Sequence, residues 1–541
     1  MKKRNILYTA VGAMMALTMS SCNDWLDIPV DGQSTSKELF ADGDGYRSAL
    51  HGLYGSMAKP LLYGKELQYG LIDFFSNQYK TAGVPERYFT SVRYTAAANR
   101  KFNDPELQPT LDEIFREAYK IVAEANNLIH NINTEADSKF SQGKMERDMI
   151  LGEALAVRAF IHFDMLRLYA PAPIIDDGGT YLPYIKAFPE IQGQHVTVKA
   201  FIDNVIADLE EARKLVKAYD DTPLGISTSV NGKARYYNEL EYGLEGANNK
   251  ERIDAFFMGR GYRFSYWAIT ALLARVYQYG ATFDDARYDL AEACAKEVVD
   301  CEVTTSSHTF TPFKNEDFEF KWAEDPEVMK GIRMESNLIF GVYNYNQVRD
   351  AGVENNFPKE PGMTTGQMFI ADVEGQEIFK TVSGTDEKEN DIRYTRLLFT
   401  PRGTEVKLSM KWYVSLVNTT SSSGASTNNP TLSVLPLIRT SEMRYIMAET
   451  AARRGKLDKA YEILNGMREA RNLGTSPLTA ASTFEEFQKD LVREAQREWI
   501  SEGQLFYLYK RLNAPVKRAD GSVAPFSKEE TILPLPVNEK L

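Results

Sequence analysis

Apolar residues recur at helical spacing over residues 434–511. Three stripes run there, each with apolar side chains three or four positions apart. They consist of Met443, Ile446, Met447 and Ala451; of Leu457, Ala460, Tyr461, Leu464 and Met467; and of Phe484, Phe487, Leu491, Ala495 and Trp499. Gly455 separates the first two stripes and Gly503 follows the third, as glycine often does beyond a helix end. The spacing predicts two antiparallel helices joined at Gly455 and a third that ends before Gly503.

The same periodicity predicts helices on the N-terminal side. Helical stripes occur in residues 45–58, 109–133, 145–170 and 198–217. Residues 262–300 hold a pair of helices with small residues at the contact positions and Gly280 at the turn. Two antiparallel helices joined at a glycine form the unit of tetratricopeptide-type repeats. The predicted fold class is therefore mainly α, an α-α superhelix of tetratricopeptide-like helix pairs.

Two stretches lack this period. Residues 67–108 mix aromatic and polar residues with glycine, which predicts an aromatic loop. Residues 301–433 contain the β-type runs NLIFGVYNYN and EVKLSMKWYVSLV between clusters of Gly, Pro, Ser, Thr and Asn, and residues 418–430 are of low complexity. The pattern predicts an irregular lobe with short β-strands, inserted between helical parts at 45–300 and 434–541.

The N-terminus has the pattern of a bacterial lipoprotein leader. A basic start at residues 2–4 precedes the largely apolar residues 6–19, which are too few for a permanent bilayer span. Two serines then stand before Cys22. We expect a signal peptide at 1–21, with an acylated Cys22 opening a lipidated tether and N-terminal arm at 22–44. The alternative is an ordinary cleavage site beside a chance cysteine. Several acyl chains would give a stable membrane anchor.

Charge and motifs argue against several classes of function. The net charge of −12, with both signs well mixed, disfavours a nucleic-acid binder, which needs a basic face. The five histidines form no His-Glu-x-x-His motif, and neither a Gly-x-Ser-x-Gly elbow nor a P-loop occurs. Carboxylate pairs are inevitable among 75 acidic residues, so pairs alone do not exclude a glycosidase. We expect no catalytic activity, no cofactor and no metal site.

Several reactive or charged residues are better explained by structure than by chemistry. Cys294 and Cys301 lie seven positions apart, about 10 Å along a helix, which is too far for a disulfide. His162 lies in an apolar helical run, so we expect it to be packed and hydrogen-bonded. Charged residues of the C-terminal stretch could form a site, but pairing between facing helices is the better interpretation. They are Arg439, Glu442, Glu449, Glu494, Arg497, Glu498 and Glu502.

The C-terminal stretch resembles the SusD/RagB family. SEMRYIMAETAARRGKLDKAYEILNGMREAR is similar to the family's R-x-x-E-x-x-x-x-x-A-E-A…A-x-x-x-L-N-x-x-R-x-R-A segment, and residues 494–511 are similar to E-R-x-R-E-L-x-x-E-G-x-R-W-x-D-L-K-R. Matching positions are Arg439, Glu442, Ala448, Glu449, Ala460, Leu464, Asn465, Arg468, Arg471, Glu494, Arg497, Glu498, Glu502, Gly503, Phe506, Lys510 and Arg511. Ala495, Trp499, Leu505, Leu508 and Tyr509 depart from the pattern. Further similarity lies in residues 152–169 and in the terminal ILPLPVNEKL.

The resemblance implies a surface-facing lipoprotein, anchored in outer-membrane lipid through acylated Cys22. Four tetratricopeptide-like helix pairs would dock on a SusC-like, TonB-dependent β-barrel transporter, and the irregular lobe at 301–433 would close over the barrel as a lid. The protein would capture an oligosaccharide and deliver it without catalysis. RagB-type members imply an alternative, a peptide ligand on the same architecture. A plain tetratricopeptide interaction scaffold is a further alternative, which the irregular lobe disfavours.

Aromatic residues outside the helices are the candidate ligand contacts. Sugar rings present C–H faces that stack on flat side chains, while Asp, Asn and Arg can bond the hydroxyl groups. Two stretches have this mixture. The candidates are Asp73, Asn77, Tyr79, Arg87, Tyr88 and Phe89 in the first, and Trp322, Tyr343, Asn344 and Tyr345 in the second. The alternative for each is a place in the core of the irregular region.

Overall fold

Helices make up most of the described chain. The computed structural model describes residues 36–81, 91–190, 193–230, 235–236, 254–304, 309–315, 334–357, 368–370, 378–400, 406–412, 433–518 and 521–537. The longer helices are α1 (Gly43–Met57), α2 (Gln108–Asn133), α3 (Gly143–Tyr169), α4 (Val198–Asp220), α5 (Pro223–Val230), α6 (Tyr266–Gly280), α7 (Ala286–Val299), α8 (Thr440–Arg453), α9 (Leu457–Glu469), α10 (Phe484–Glu498) and α11 (Leu505–Leu512). Short α-helices span Ser36–Leu39, Leu71–Phe75, Val92–Ala98, Gln347–Asp350, Val353–Asn356 and Ile392–Thr395. Short 3₁₀ turns span Asp137–Lys139, Pro173–Ile175, Ala255–Phe257, Arg260–Tyr262, Glu335–Asn337 and Met410–Trp412. The predicted mainly α class is confirmed.

The longer helices pack one after another into a continuous array. Helix α1 packs on α2, α2 on α3 and α3 on α4, and the array continues through α6, α7, α8 and α9. Helix α3 lies at its centre, and every residue from Gly152 to Tyr169 is buried because α1, α2 and α4 cover it. The pairs α6/α7 and α8/α9 are the two helix pairs that the sequence periodicity predicts.

Two glycines hold the turns of the C-terminal helices in the left-handed backbone region. Gly455, between α8 and α9, has φ +72°, and Gly503, before α11, has φ +71°. Glycine adopts this conformation at little cost. A Cβ atom on Gly503 would also lie 2.5 Å from the carbonyl oxygen of Gln68. The breaks predicted at both glycines are confirmed, and the second brings two distant parts of the chain into contact.

The strands of the described residues form two-stranded antiparallel sheets. The pairs are β1 (Thr180–Pro183) with β2 (His195–Thr197), β3 (Val303–Thr304) with β4 (Thr309–Phe310), β5 (Leu338–Tyr343) with β8 (Val434–Arg439), β6 (Leu398–Phe399) with β7 (Leu408–Ser409), and β9 (Val516–Lys517) with β10 (Val523–Ala524). The run NLIFGVYNYN contains a strand, β5, as predicted. In EVKLSMKWYVSLV the strand is only two residues long and passes into the 3₁₀ turn Met410–Trp412; residues 413–417 lie outside the described residues.

Strand β8 is an element that helical periodicity does not predict. Its sequence VLPLIR is buried at every position and runs directly into α8. A strand that is buried on both faces does not alternate between apolar and polar residues. The pattern of a short apolar run therefore cannot distinguish such a strand from the first turn of a helix. In the pairing of β5 with β8, Val342 lies opposite Leu435 and Tyr343 opposite Val434. The irregular region is thereby joined to the C-terminal helices.

In its described parts, residues 67–81 and 91–108, the aromatic stretch is more regular than the predicted loop. It contains the short helices Leu71–Phe75 and Val92–Ala98. The rings of Phe74 and Tyr94 stack with centroids 4.4 Å apart, and both are buried. These aromatic residues fill the core between helices too short to show an apolar stripe.

A buried charge network ties the irregular region to α9 and α10. Its cations are Arg393, Arg468, Arg471 and Arg497, and its anions are Glu387, Asp391, Glu494 and Glu498. Arg393 binds both carboxylate oxygens of Asp391, at 2.9 and 2.8 Å, and Arg471 binds both of Glu498, at 3.0 and 2.6 Å. The four positive and four negative charges of this network therefore neutralise each other, and all eight side chains are shielded from water.

Other charged residues of the C-terminal stretch pair with helix α6 or with one another. Arg275 of α6 donates to both oxygens of Glu442, and Arg511 to both of Glu449. Arg439 donates to Glu502 at 2.8 Å. The predicted structural pairing is confirmed, although many of the partners lie outside the stretch that predicts it.

The two internal cysteines are buried free thiols, as expected. Burial raises the pKa of the Cys294 thiol to about 11 and that of Cys301 to about 12. Both thiols are thus protonated at neutral pH and act as small core residues.

The predicted site of membrane attachment, Cys22, lies outside the residues that the structure describes. Among the described helices, none is both long and apolar enough to span a bilayer. Residues 1–35, with the predicted signal peptide and Cys22, lie outside the described residues.

Candidate ligand-binding surface

Two tyrosines of the irregular region stand out by their exposure. Tyr345 is 60% exposed and Tyr343 is 36% exposed. Among the aromatic side chains of the described ranges, Phe188 is the other one exposed to this extent, at 36%. Both tyrosines are predicted site residues, and they flank Asn344, a third. The described surface therefore has one place where the sequence predicts a ligand contact and aromatic rings face solvent.

The local sequence explains why the chain turns outward here. Residues 338–342 of β5 are buried, and Tyr343 is the last residue of the strand. The Asn344 backbone N–H donates to the carbonyl of Ser433 at 2.9 Å, and the Asn346 N–H donates to Asn344 Oδ1 at 2.9 Å. Such a side-chain-to-backbone bond is typical of Asn in turns. The turn is therefore fixed on both sides of Tyr345.

Two side-chain contacts also join the turn to the N-terminal part of the chain. The side-chain amide of Gln347, which opens the helix Gln347–Asp350, donates to the carbonyl of Gly64. The Asn344 side-chain amide lies 3.4 Å from the carbonyl oxygen of Ala58, just after α1. The turn thus rests on the N-terminal part of the protein, which holds the two tyrosines in a defined place.

Tyr343 is the outer ring of an aromatic series. Its ring centroid lies 5.0 Å from that of Tyr262, which in turn lies 5.3 Å from that of the buried Tyr236. The Tyr236 hydroxyl donates to the carbonyl of Leu338 at 3.0 Å, and the Tyr262 hydroxyl donates to the carbonyl of Tyr236. Tyr262 is not among the predicted contacts, because the periodicity assigns it to the start of the predicted helix pair at 262–300. In the structure it ends the 3₁₀ turn Arg260–Tyr262, before α6.

The surface has the chemistry of a stacking site with polar edges. Tyr343 and Tyr345 offer ring faces, and the neighbouring amides of Asn344 and Asn346 can both donate and accept hydrogen bonds. Arg349 follows, with its side chain 76% exposed and 3.0 Å from Asp350. Such a surface can hold a flat, hydroxylated ring without bonds being made or broken.

Three other predicted residues lie in the core instead. Asp73 is fully buried and accepts from the Gly503 N–H at 3.1 Å, and burial raises its pKa well above the usual range. The Asn77 side chain lies between Arg100 and the Lys517 carbonyl, and the Tyr79 hydroxyl donates to Ser501 at 2.9 Å.

The placement of Asp73, Asn77 and Tyr79 corrects the sequence-based assignment. Side chains that are buried and engaged with the protein itself are not available to a ligand at the surface. We therefore do not include these three in the site. Arg87, Tyr88, Phe89 and Trp322 lie outside the described residues.

His162 has a structural role, as the sequence predicts. One ring nitrogen, Nδ1, lies 3.0 Å from the carbonyl oxygen of Arg158, and Nε2 accepts from the Ile185 N–H at 3.1 Å. Burial lowers its pKa to about 3, so the ring is neutral. Among the described residues, no cluster of three His, Cys, Asp or Glu side chains could hold a metal ion.

Comparison with known families assigns the chain. A family described as starch-binding and associating with the outer membrane matches residues 31–236, and the SusD family matches residues 314–531. The chain belongs to the SusD/RagB family. A SusD-like protein of Formosa agariphila is 21% identical, over 99% of this chain and 97% of that protein.

Solved structures of the SusD superfamily share the fold. One from Bacteroides thetaiotaomicron has a TM-score of 0.62 at 18% identity and covers 92% of this chain and 97% of its own. Surface glycan-binding protein A of the same organism, solved in complex with laminarihexaose, has a TM-score of 0.59 at 15% identity, again over 92% and 97%. At these identities the likeness concerns the fold.

Proposed function

We propose that this protein binds an oligosaccharide on the surface formed by Tyr343, Asn344 and Tyr345, with Tyr262 behind them. The observation that carries the proposal is the exposure of two tyrosine rings in a turn held at both ends. The two neighbouring tyrosine rings form an exposed, partly apolar patch, and such patches often mark binding sites. Sugar faces suit these rings, and the adjacent amides suit sugar hydroxyl groups.

The family supports a role in uptake at the outer membrane. We infer that the acylated Cys22 holds the protein at the cell surface and that it delivers its ligand to a SusC-like TonB-dependent transporter, as that transporter's lid and without catalysis. The outer-membrane description of the matching family supports the location. The glycan complex of a protein with the same fold supports the ligand class. Affinity capture of the tagged protein from detergent-solubilised outer membranes should then co-purify a TonB-dependent barrel.

Calorimetry with matched variants tests the ligand surface. A panel of oligosaccharides that includes laminarihexaose and maltohexaose would be titrated into the wild type, Tyr343→Ala, Tyr345→Ala and Phe188→Ala. A lost stacking contact of about 1–2 kcal/mol corresponds to a loss of affinity of roughly 5- to 30-fold in each tyrosine variant. Phe188→Ala is the control, because Phe188 has the same exposed fraction as Tyr343 but precedes β2, in another part of the chain.

Three results would count against the proposal. Unchanged affinity in both tyrosine variants would place the ligand elsewhere. Binding of peptides and of no glycan in the panel would favour the RagB-type alternative. Release of shorter sugars during incubation would show that the protein is an enzyme.

A further inference from the structure

Three consecutive apolar residues are exposed in the connection between β1 and β2. Ala187, Phe188 and Pro189 are all open to solvent. The ring centroid of Phe188 lies 6.2 Å from that of the exposed His130 of α2. A single exposed apolar side chain is ordinary, but an exposed run of three is uncommon without a function. We call residues 186–190 the Phe188 loop.

Helix α2 holds this loop and the start of the described chain on the same helical turn. The side-chain amide of Asn126 donates to the carbonyl of Ile185, just before the loop, at 3.1 Å. The next residue, Asn127, donates to the hydroxyl oxygen of Ser36 at 3.1 Å. Ser36 is the first residue that the structure describes. The segment that precedes Ser36 therefore joins the body of the protein beside the Phe188 loop.

The sequence before Ser36 combines an apolar segment with a polar link. Residues 24–31, DWLDIPVD, contain five apolar residues and three aspartates, and residues 32–35, GQST, lead to Ser36. Pro29 is seven residues from Ser36, which is a span of at most about 25 Å when the chain is extended. On α2, His130 is less than one helical turn from Asn127. The apolar segment is therefore long enough to cover the Phe188 loop.

Charge also favours this segment as the occupant of the loop. Lys186 is exposed, and it forms no ion pair with any other described residue; its ammonium lies 5.3 Å from the ring centroid of Tyr184. Glu190, the acidic residue of the loop, accepts from the Ala187 N–H at 3.3 Å. The aspartates of residues 24–31 can pair with Lys186. An exposed ion pair contributes little free energy, so the apolar contact with Phe188 would be the larger contribution.

We propose that residues 24–31 dock on the Phe188 loop and on the adjoining face of α2. Their apolar side chains would cover Phe188 and Pro189, with an aspartate beside Lys186. This docking does not involve the tyrosine surface. With Cys22 acylated, as proposed above, Asn23 alone would separate the lipid-bearing residue from the docked segment. The arm would then be a short, fixed link that places this face of α2 next to the membrane.

Disulfide cross-linking in the full-length protein tests the docking. One variant carries Pro29→Cys with Ala187→Cys, which leaves Phe188 and every other apolar residue of the segment in place. The control carries Pro29→Cys with Ser138→Cys. Ser138 is also exposed, and it precedes Lys139, whose ammonium donates to the Phe40 carbonyl at 3.2 Å, so it too lies near the start of the described chain. Cys294 and Cys301 are buried and do not compete.

Isolated outer membranes would be oxidised with copper phenanthroline, and the linked peptides would be measured by mass spectrometry. A disulfide requires Cα atoms within about 7 Å of each other. We expect the pair at 29 and 187 to form its disulfide at least about tenfold faster than the pair at 29 and 138, because docking raises the local concentration of one thiol around the other. Adding Phe188→Ala should slow the first pair about fivefold, which corresponds to about 1 kcal/mol of lost ring contact, and should not slow the second.

Two results would overturn the proposal. Equal rates for the two pairs, fast or slow, would show that the segment moves freely or lies elsewhere, for example among the lipid headgroups. A rate for the pair at 29 and 187 that Phe188→Ala leaves unchanged would show that proximity to Ser36, and not docking, brings the thiols together. The same pairs in a Cys22→Ala background test the docking separately from the lipid anchor, because residues 24–31 are unchanged there.

Discussion

Arg497 is the most informative residue at which to test the buried charge network. Its Nε donates to the carbonyl of Ile378 at 2.6 Å, and one terminal nitrogen reaches Glu387 at 2.7 Å and Asp391 at 3.3 Å. The side chain is fully buried. Arg497→Met keeps much of the apolar stem and removes the charge, which leaves four carboxylates facing three guanidinium groups.

The size of the loss follows from these contacts. Removing one partner of a buried ion pair costs about 3–5 kcal/mol, because the remaining charge stays buried without compensation. With an unfolding entropy of about 2.1 cal/mol/K per residue, 541 residues give roughly 1.1 kcal/mol/K. We therefore expect Arg497→Met to lower the melting temperature by about 3–5 °C.

Differential scanning calorimetry at pH 7 measures this shift, with Arg454→Met as the control. Arg454 also contacts two carboxylates, Asp285 and Asp289, but at the protein surface, so its loss should change stability far less. The additional change Glu387→Gln should recover part of the loss in the Arg497 variant, since it restores charge balance. A melting temperature within 1 °C of wild type for Arg497→Met would refute the stabilising role of the network.

The network also predicts how stability depends on pH. Burial alone would raise the pKa of the Glu498 carboxyl, but Arg471 and Arg393 lower it to about 2. The carboxyl of an unfolded Glu has a pKa of about 4.3. Its contribution is therefore fully present above that pH and is lost as the pH falls towards 2. Circular dichroism at decreasing pH should show unfolding in this window, and at a higher pH in the Arg497 variant.

Three further predictions concern single positions. Gly466→Ala should stabilise the protein by about 0.5–1 kcal/mol, because Gly466 lies within α9 and the added methyl meets open space. Gly455→Ala should destabilise it by about 1 kcal/mol, because Gly455 has φ +72°. Urea unfolding of the two variants measures both free-energy changes. Asp73→Asn should leave the melting temperature at pH 8 unchanged or raise it, because burial already disfavours the charged carboxylate; a large fall would mean that the charge is needed. Cys22→Ala should release the protein from the membrane fraction in immunoblots, and retention there would contradict the lipid anchor.

The helical body could be predicted because its signals are long and local. Stripes such as Leu457 to Met467 extend over three turns, and Gly455 marks the break between helices. Strand β8 and the short helix Leu71–Phe75 escape prediction for a physical reason. Each is buried on all sides, so the contrast between apolar and polar positions disappears.

The candidate site could be predicted only in part. Composition indicates aromatic residues outside the regular helices, but it does not say which of them face solvent. Tyr79 and Tyr345 look alike in sequence, each beside polar neighbours. Tyr79 is buried, and its hydroxyl donates to Ser501, which lies more than 400 positions along the chain. Tyr345 follows a strand end and projects outward. Contacts between residues so far apart in the sequence cannot be predicted from the residues that surround either of them.

The family motif consists of residues different from those proposed to bind ligand. The structure links the two sets, because both belong to contacts of the irregular region. Arg468, Arg497 and Glu498 belong to the recognisable motif, and all are buried in the network that fastens the irregular region to α9 and α10. The same region carries the turn at Tyr345, which is further fixed by β5 pairing with β8. A rigid turn loses little conformational freedom when a ligand binds, so less of the stacking free energy is spent on ordering the protein. The buried motif residues therefore stabilise the region that carries the exposed tyrosine rings, without contacting the ligand themselves.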